Sequence, residues 1–218
     1  AAAPKNGMQI LDACAAPGGK SCLMAEMMQG TGRVQAWELH PHRADLIAAQ
    51  VQRLGLENVR PMTRDALKHR EELDGTMDIV LLDAPCSGVM SEKPDVKYRV
   101  TAQSVDELVQ LQSNLLDAVC PYVKKGGTLV YSTCSVLKDE NVRQAEKFLA
   151  RHPEFELLPL PETRVLGTEP DGNPAFAFHP YGKGGFYFLS FPLETMLADQ
   201  PRAFEGTAYY RLYQCMFS

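Results

Sequence analysis

Short apolar runs alternate with amphipathic stretches from the start of the chain to about residue 160. The apolar runs are "MQILDA" (8–13), "RVQAWEL" (33–39), "VRPMTRDA" (59–66), "DIVLLDAP" (78–85), "TLVYSTC" (128–134) and "FELLPL" (155–160). Runs of this length, separated by helical periodicity, predict strands of a parallel sheet with crossover helices on both faces. Between the second and third runs, "HRADLIAAQVQRLG" puts Ile47, Val51 and Leu54 on one helical face and ends at Gly55, a natural C-terminal stop. Further on, Ser104 and Glu107 have the spacing of a capping box. Leu108, Leu111, Leu115 and Val119 then recur at helical intervals, and Gly126 with Gly127 turns the chain into the fifth strand. A last helix in "DENVRQAEKFLARH" is expected to bury Val142, Ala145, Phe148 and Leu149 before Pro153 stops it. Residues 159–180, rich in Pro, Gly and Asn, read as loop, "GGFYFLSFP" (184–192) as a strand, and 193–218 carry no assignable pattern. The fold class is α/β, a doubly wound, mostly parallel sheet.

With 218 residues the chain suffices for one sizeable core, read as a single domain over 1–192 followed by a segment, 193–218, of unassigned role. It has no apolar run long enough to span a membrane and no charged-then-apolar leader, so a soluble, cytoplasmic monomer is expected. The six cysteines lack the spacing of a disulfide framework or zinc ribbon and are expected to be reduced, and "HPH" at 40–42 has no partners to complete a metal site. A net charge of −5 argues mildly against gripping nucleic acid by bulk electrostatics. Local basic clusters remain at Lys93, Lys97 and Arg99 and at Lys124 with Lys125, although isolated clusters of this kind are ordinarily solvated surface.

The loop after the first strand, "CAAPGGKS", ends like a phosphate-binding loop. That motif needs a glycine where Cys14 stands, and Pro17 has no backbone N–H to donate. A glycine-rich turn at this place in an open sheet also lets the backbone approach a nucleoside, here at Gly18 and Gly19. Glu38, ending the second strand, is placed to accept from ribose hydroxyls, and Asp65, after the third, to meet an adenine amino group; alone, each is an ordinary solvated acid. Cys86 in "LLDAPCSG" and Cys134 in "LVYSTCS" each lie just beyond a strand, and in doubly wound order those strands are neighbours, so both thiols should face one crevice. Cys14, Cys22 and Cys120 read as small inert hydrophobes.

These motifs, together with "KPDVKY", "LQSNLLDAV" and "DENV", resemble the RNA cytosine-5 methyltransferases of the Sun/Fmu type over roughly residues 4–150. The "CAAPGGK" form is most similar to the enzymes acting on small-subunit rRNA. The resemblance implies a seven-stranded Rossmann-like class I methyltransferase sheet, S-adenosylmethionine as cofactor and RNA as partner, rRNA ahead of tRNA. It implies that Cys14, Ala15, Ala16, Pro17, Gly18, Gly19 and Lys20, with Glu38, Asp65 and Asp83, bind the cofactor. It also implies that Cys134 is the nucleophile and that Cys86 assists product release. Asp83 would stabilise the base through its ring nitrogen or amine, and Lys20 is a candidate cation beside the cysteines. Two departures stand out: the loop in "CSGVMSEKPD" is about two residues shorter than the family pattern, and the RNA-binding region usual upstream is not in this chain. A catalytically silent RNA-binding or assembly protein on the same fold, and a P-loop ATPase, are the competing readings.

Overall fold

The computed structural model describes residues 2–89, 100–135 and 137–158, and the backbone of 164–168, 174–181 and 184–189. The chain divides into two compact units. In the first, β1 (Gln9–Asp12), β2 (Arg33–Glu38), β3 (Val59–Thr63), β4 (Met77–Asp83) and β5 (Val123–Ser132) form one parallel sheet in the order β3-β2-β1-β4-β5. Among the described residues, four α-helices accompany them: α1 (Gly19–Met27), α2 (Pro41–Leu54), α3 (Ala102–Val119) and α4 (Val142–Arg151).

Helices cover both faces of the sheet, so its inner strands β1, β2 and β4 are mostly buried and read as apolar runs, whereas the edge strands β3 and β5 are only partly buried. Ile10, Val34, Ala36, Ile79 and Leu81 pack with Met24 and Ala25 of α1, Met28 just beyond its end and Ile47 of α2. The alternate residues Leu11, Trp37, Val80 and Leu82 pack with Leu115, Leu116 and Val119 of α3 and Phe148 of α4. The chain order reverses at β1, which pairs with β2 on one side and β4 on the other, so the loops after β1 and β4 open at one end of the sheet.

Local readings held in part. Gly55 caps α2 with φ +64°, as its position suggested, and Ile47 is fully buried, but Leu54 is more than a third exposed. The capping box of α3 sits one turn earlier than Ser104 and Glu107: Ser104 N donates to Thr101 Oγ1 (3.1 Å) and Thr101 N to Ser104 Oγ (2.9 Å). Leu115 and Val119 are buried as expected, whereas Leu108 and Leu111 are half-buried. In α4, Val142 is exposed and the polar Gln144 is buried instead. Gly126 and Gly127 belong to β5 itself, beside a register shift against Met77 and Ile79. A Cβ on Gly127 would come within 3.0 Å of carbonyl oxygens of Met77 and Asp78.

Residues 155–158 of "FELLPL" form no strand; Phe155 stacks edge-on against Phe148 while Leu157 and Leu158 face solvent. The loop expected over 159–180 is overturned where residues are described, over 164–168 and 174–180. The second unit holds β6 (Arg164–Thr168), β7 (Pro174–Tyr181) and β8 (Gly184–Leu189), paired antiparallel in that order. The turn-forming residues of "EPDGN" lie between β6 and β7, and Pro174 opens its strand, where a missing N–H is tolerated. Of the seven strands expected in one sheet, five are described in the parallel sheet. The segment 193–218, the short loop after Gly88 and the basic run at Lys93, Lys97 and Arg99 lie outside the described residues.

Candidate active site

The loop after β1 is not a phosphate nest. Ala15 N donates to Trp37 O (2.8 Å) and Gly18 N to Ala15 O (2.7 Å), so these amides are spent inside the protein, and Pro17 has none. Ser21, which a phosphate loop would turn toward a metal, is fully buried and donates to Asp12 Oδ2 (2.6 Å). Lys20 Nζ lies 2.5 Å from Asp83 Oδ2 at the end of β4. From the sequence, Lys20 is a candidate cation beside Cys86 and Cys134; among the described residues its partner is the Asp83 carboxylate.

Gly18 and Gly19 differ in what they do. Gly18 has φ +106°, and a Cβ there would lie 3.1 Å from Ile47 Cγ2 and 3.2 Å from Ile47 Cα, so its lack of a side chain lets α2 approach. A Cβ on Gly19 would meet nothing within 4 Å. Gly19 lines a cavity of about 130 Å³ together with Asp12, Cys14, Ala15, Ala16, Pro17, Lys20 and Asp83.

Asp12 is the residue in this wall that sequence reasoning missed, although a carboxylate ending an apolar strand is itself a signal. Its Oδ1 is buried without a hydrogen-bond partner. Burial pushes its carboxyl up to about 6 against the opposing hydrogen bond from Ser21. Burial, reinforced by the charges of Asp12, Glu38 and Asp83, pushes the Cys14 thiol up to about 12, which fits an inert wall residue.

Glu38 ends β2 almost fully buried, accepting from His40 N (3.1 Å) and from Arg43 Nη1 (3.4 Å). Arg43 Nη2 in turn reaches Ala16 O (3.4 Å), so this arginine, also unforeseen, ties Glu38 to the loop. Asp65 is half-buried and accepts from Leu67 N (3.0 Å), closing its own turn. Neither Glu38 nor Asp65 lines the cavity. Asp83 accepts on both oxygens, from Lys20 and from Ser132 Oγ (2.6 Å), the second across paired ends of β4 and β5.

Cys86 and Cys134 meet as the strand order required. Their sulfurs are 3.0 Å apart, and Cys134 N donates to Cys86 Sγ (3.3 Å). Both are free thiols, Cys134 exposed and Cys86 half-buried. Burial, then the hydrogen bond with Cys134, pushes the Cys86 thiol up to about 11, so Cys86 keeps its proton at neutral pH. Of the two basic clusters, Lys124 is committed to an ion pair with Asp78. Among the described residues no helix is long and apolar enough to cross a membrane.

Comparison with known proteins places this geometry. The family described as 16S rRNA methyltransferase RsmB/F matches residues 1–191. The probable ribosomal RNA small subunit methyltransferase B of Bacillus subtilis (strain 168) is 41% identical over 195 residues, which are 86% of this chain and 43% of that protein. Among solved structures, the crystal structure of PH0851 aligns with TM-score 0.71 at 36% identity, covering 81% of this chain and 40% of that one. A methyltransferase homolog protein from Pyrococcus horikoshii aligns with TM-score 0.64 at 34% identity, covering 78% of this chain and 53% of that one. The parallel sheet therefore has the Rossmann-like class I methyltransferase fold, and the chain spans less than half the length of the curated relative it matches. By its motifs, its strand order and these matches, the chain belongs to the RsmB/F family of 16S rRNA methyltransferases.

Proposed function

We propose that this chain, over residues 1–192, is the S-adenosylmethionine-dependent catalytic domain that methylates carbon 5 of a cytosine in RNA, with small-subunit rRNA as substrate. The observation that carries the reading is the pair of free thiols 3.0 Å apart, one exposed and one held protonated.

The cavity fits part of such a cofactor. It has an open wall at Gly19 and an unpartnered buried oxygen on Asp12, and its volume of about 130 Å³ matches a fragment of a ligand, since pockets that enclose whole ligands run to roughly 300 Å³ or more. The loop Cys14 to Lys20 and Asp83 would form the near wall, with Glu38 and Asp65 further out along the strand ends. When bound, S-adenosylmethionine supplies an electrophilic methyl group.

Carbon 5 of cytosine is too weak a nucleophile to take that methyl group directly. Addition of the Cys134 thiolate to carbon 6 would push the electron pair to carbon 5 and make it nucleophilic toward the methyl group, whose bond to the cofactor sulfur breaks on transfer to leave the cofactor as a neutral thioether. A base removes the carbon 5 proton, and the carbon–sulfur bond breaks to return the Cys134 thiolate. Cys86, whose sulfur touches that of Cys134, acts at this release step. Asp83 accepts hydrogen bonds in its present setting, which suits it to receive the exocyclic amine of the base, with Lys20 orienting it. The base must leave its stack to reach the thiols, at a cost of about a few kcal/mol.

RNA carrying 5-fluorocytosine, which blocks loss of the carbon 5 substituent, tests the roles. With S-adenosylmethionine the wild type should become covalently trapped and Cys134→Ala should not. If Cys86→Ala abolishes trapping and Cys134→Ala retains it, the roles are reversed. No trapping together with no methyl transfer in a single-turnover assay would favour the catalytically silent RNA-binding reading.

A further inference from the structure

The two cysteine loops are held by two consecutive residues that touch neither sulfur. Glu140, at the end of a short 3-10 turn, is fully buried. Its carboxylate accepts from Ser87 N (2.8 Å), Ser87 Oγ (2.5 Å) and Gln112 Nε2 (3.0 Å). The same Gln112 nitrogen donates to Pro85 O (2.9 Å), so the residues on both sides of Cys86 are fixed through Glu140 and Gln112. Asn141 grips the other loop: it accepts from Thr133 Oγ1 (2.6 Å) and donates to Ser135 O (2.7 Å), the residues on both sides of Cys134. Ser87 Oγ and Ser135 Oγ, 3.3 Å apart, join the two loops directly.

A buried carboxylate is costly to keep, and among the described residues this one is compensated by hydrogen bonds. An apolar residue here would leave Ser87 N, Ser87 Oγ and the Gln112 amide without their acceptor. Against burial, which raises it, the Glu140 carboxyl is held below its ordinary range by hydrogen bonds from the serines that follow both cysteines, Ser135 and Ser87. We infer that Glu140 and Asn141 are positioning residues that set the relative placement of Cys86 and Cys134, Glu140 mainly through the Cys86 loop and Asn141 through the Cys134 loop.

This inference rests on the cysteine roles proposed above, and the two are separable by experiment. In Asn141→Ala, trapping on 5-fluorocytosine-containing small-subunit rRNA transcript should slow at least 10-fold. In Glu140→Gln, trapping should stay within about 3-fold of wild type, whereas with ordinary transcript the covalent species should accumulate as its release slows at least 10-fold. Affinity for S-adenosylmethionine should remain within about 2-fold in both, a split that a general loss of structure would not produce. Bridging of Cys86 to Cys134 by a bifunctional thiol reagent, quantified by peptide mass spectrometry, reports the placement without any methyl transfer and should fall several-fold in both variants. Reduced bridging with unchanged adduct kinetics would uphold the placement and overturn the cysteine roles. Wild-type bridging in both folded variants would overturn the placement itself. Should circular dichroism find either variant unfolded, Ser87→Ala and Thr133→Val remove one hydroxyl from each grip, and the same bridging outcomes decide.

Discussion

Cys134 N donates to Cys86 Sγ while the two sulfurs lie 3.0 Å apart, so the exposed thiol and the protected one form a single unit. Their chemistry should differ accordingly, since thiolate is the reactive form and burial pushes Cys86 up to about 11. Brief iodoacetamide treatment at pH 8 is expected to label Cys134 and spare Cys86, with peptide mass spectrometry as the readout. Preferential labelling of Cys86 would contradict the assignment of its proton.

Gly18 and Gly19 should separate stability from ligand binding. Gly18→Ala forces a side chain into a left-handed backbone at φ +106° and against Ile47. A loss of about 2 to 4 kcal/mol is expected from the combined strain and overpacking. Gly19→Ala adds a methyl group to open space at the first residue of α1, where alanine favours the helix, so the urea midpoint should hold or rise. The same methyl group enters the cavity, and calorimetry should find S-adenosylmethionine bound at least 10-fold more weakly.

The inner strands β1, β2 and β4 were legible because most of their residues are buried, leaving apolar runs with no competing period. The edge strands β3 and β5, only partly buried, were read from their place in the alternation with helices. Cys86 and Cys134 were legible for a related reason: adjacent strands bring their ends together whatever the side chains do. β6 and β7 were not, because Pro174 and the residues of "EPDGN" carry turn signals that outweigh the alternation in "AFAFH". Nor could Gln112, Glu140 and Gln144 be read as core residues. A polar side chain is buried only when partners distant in sequence satisfy it, and the partners of Glu140 lie 28 and 53 residues away. Lys20 shows the same limit, since its charge was evident and its partner Asp83, 63 residues on, was not.

The Lys20–Asp83 pair should matter to catalysis far more than to folding. Its side chains are 56% and 34% exposed, and ion pairs so open to solvent contribute under about 1 kcal/mol. Lys20→Met is therefore expected to shift the denaturation midpoint little. Asp83 would lose the donor on Oδ2 that orients it toward the base, and single-turnover methyl transfer should fall by roughly 10²-fold or more. A large loss of stability with preserved transfer would place the lysine in the scaffold instead.

Asp12 gives a pH dependence of known sign. Its carboxyl titrates at about 6 in the folded protein against 3.8 for the free group, with burial the main cause. Between those values the folded state holds the proton more tightly than the unfolded chain, so the stability it contributes is complete below pH 4 and is lost as pH rises through 6. The loss amounts to about 2 to 3 kcal/mol. Asp12→Asn cannot titrate, but it leaves an amide nitrogen against Ser21 or in the unpartnered site, which adds a constant offset at every pH. The offset cancels when the stability difference between variant and wild type is compared at two pH values. That difference should move in favour of Asp12→Asn by about 2 to 3 kcal/mol between pH 4 and pH 7, measured by urea denaturation without cofactor. A difference that stays constant would mean that Asp12 titrates near its free value in the folded protein too, and that the cavity holds more water around Oδ1 than its burial implies.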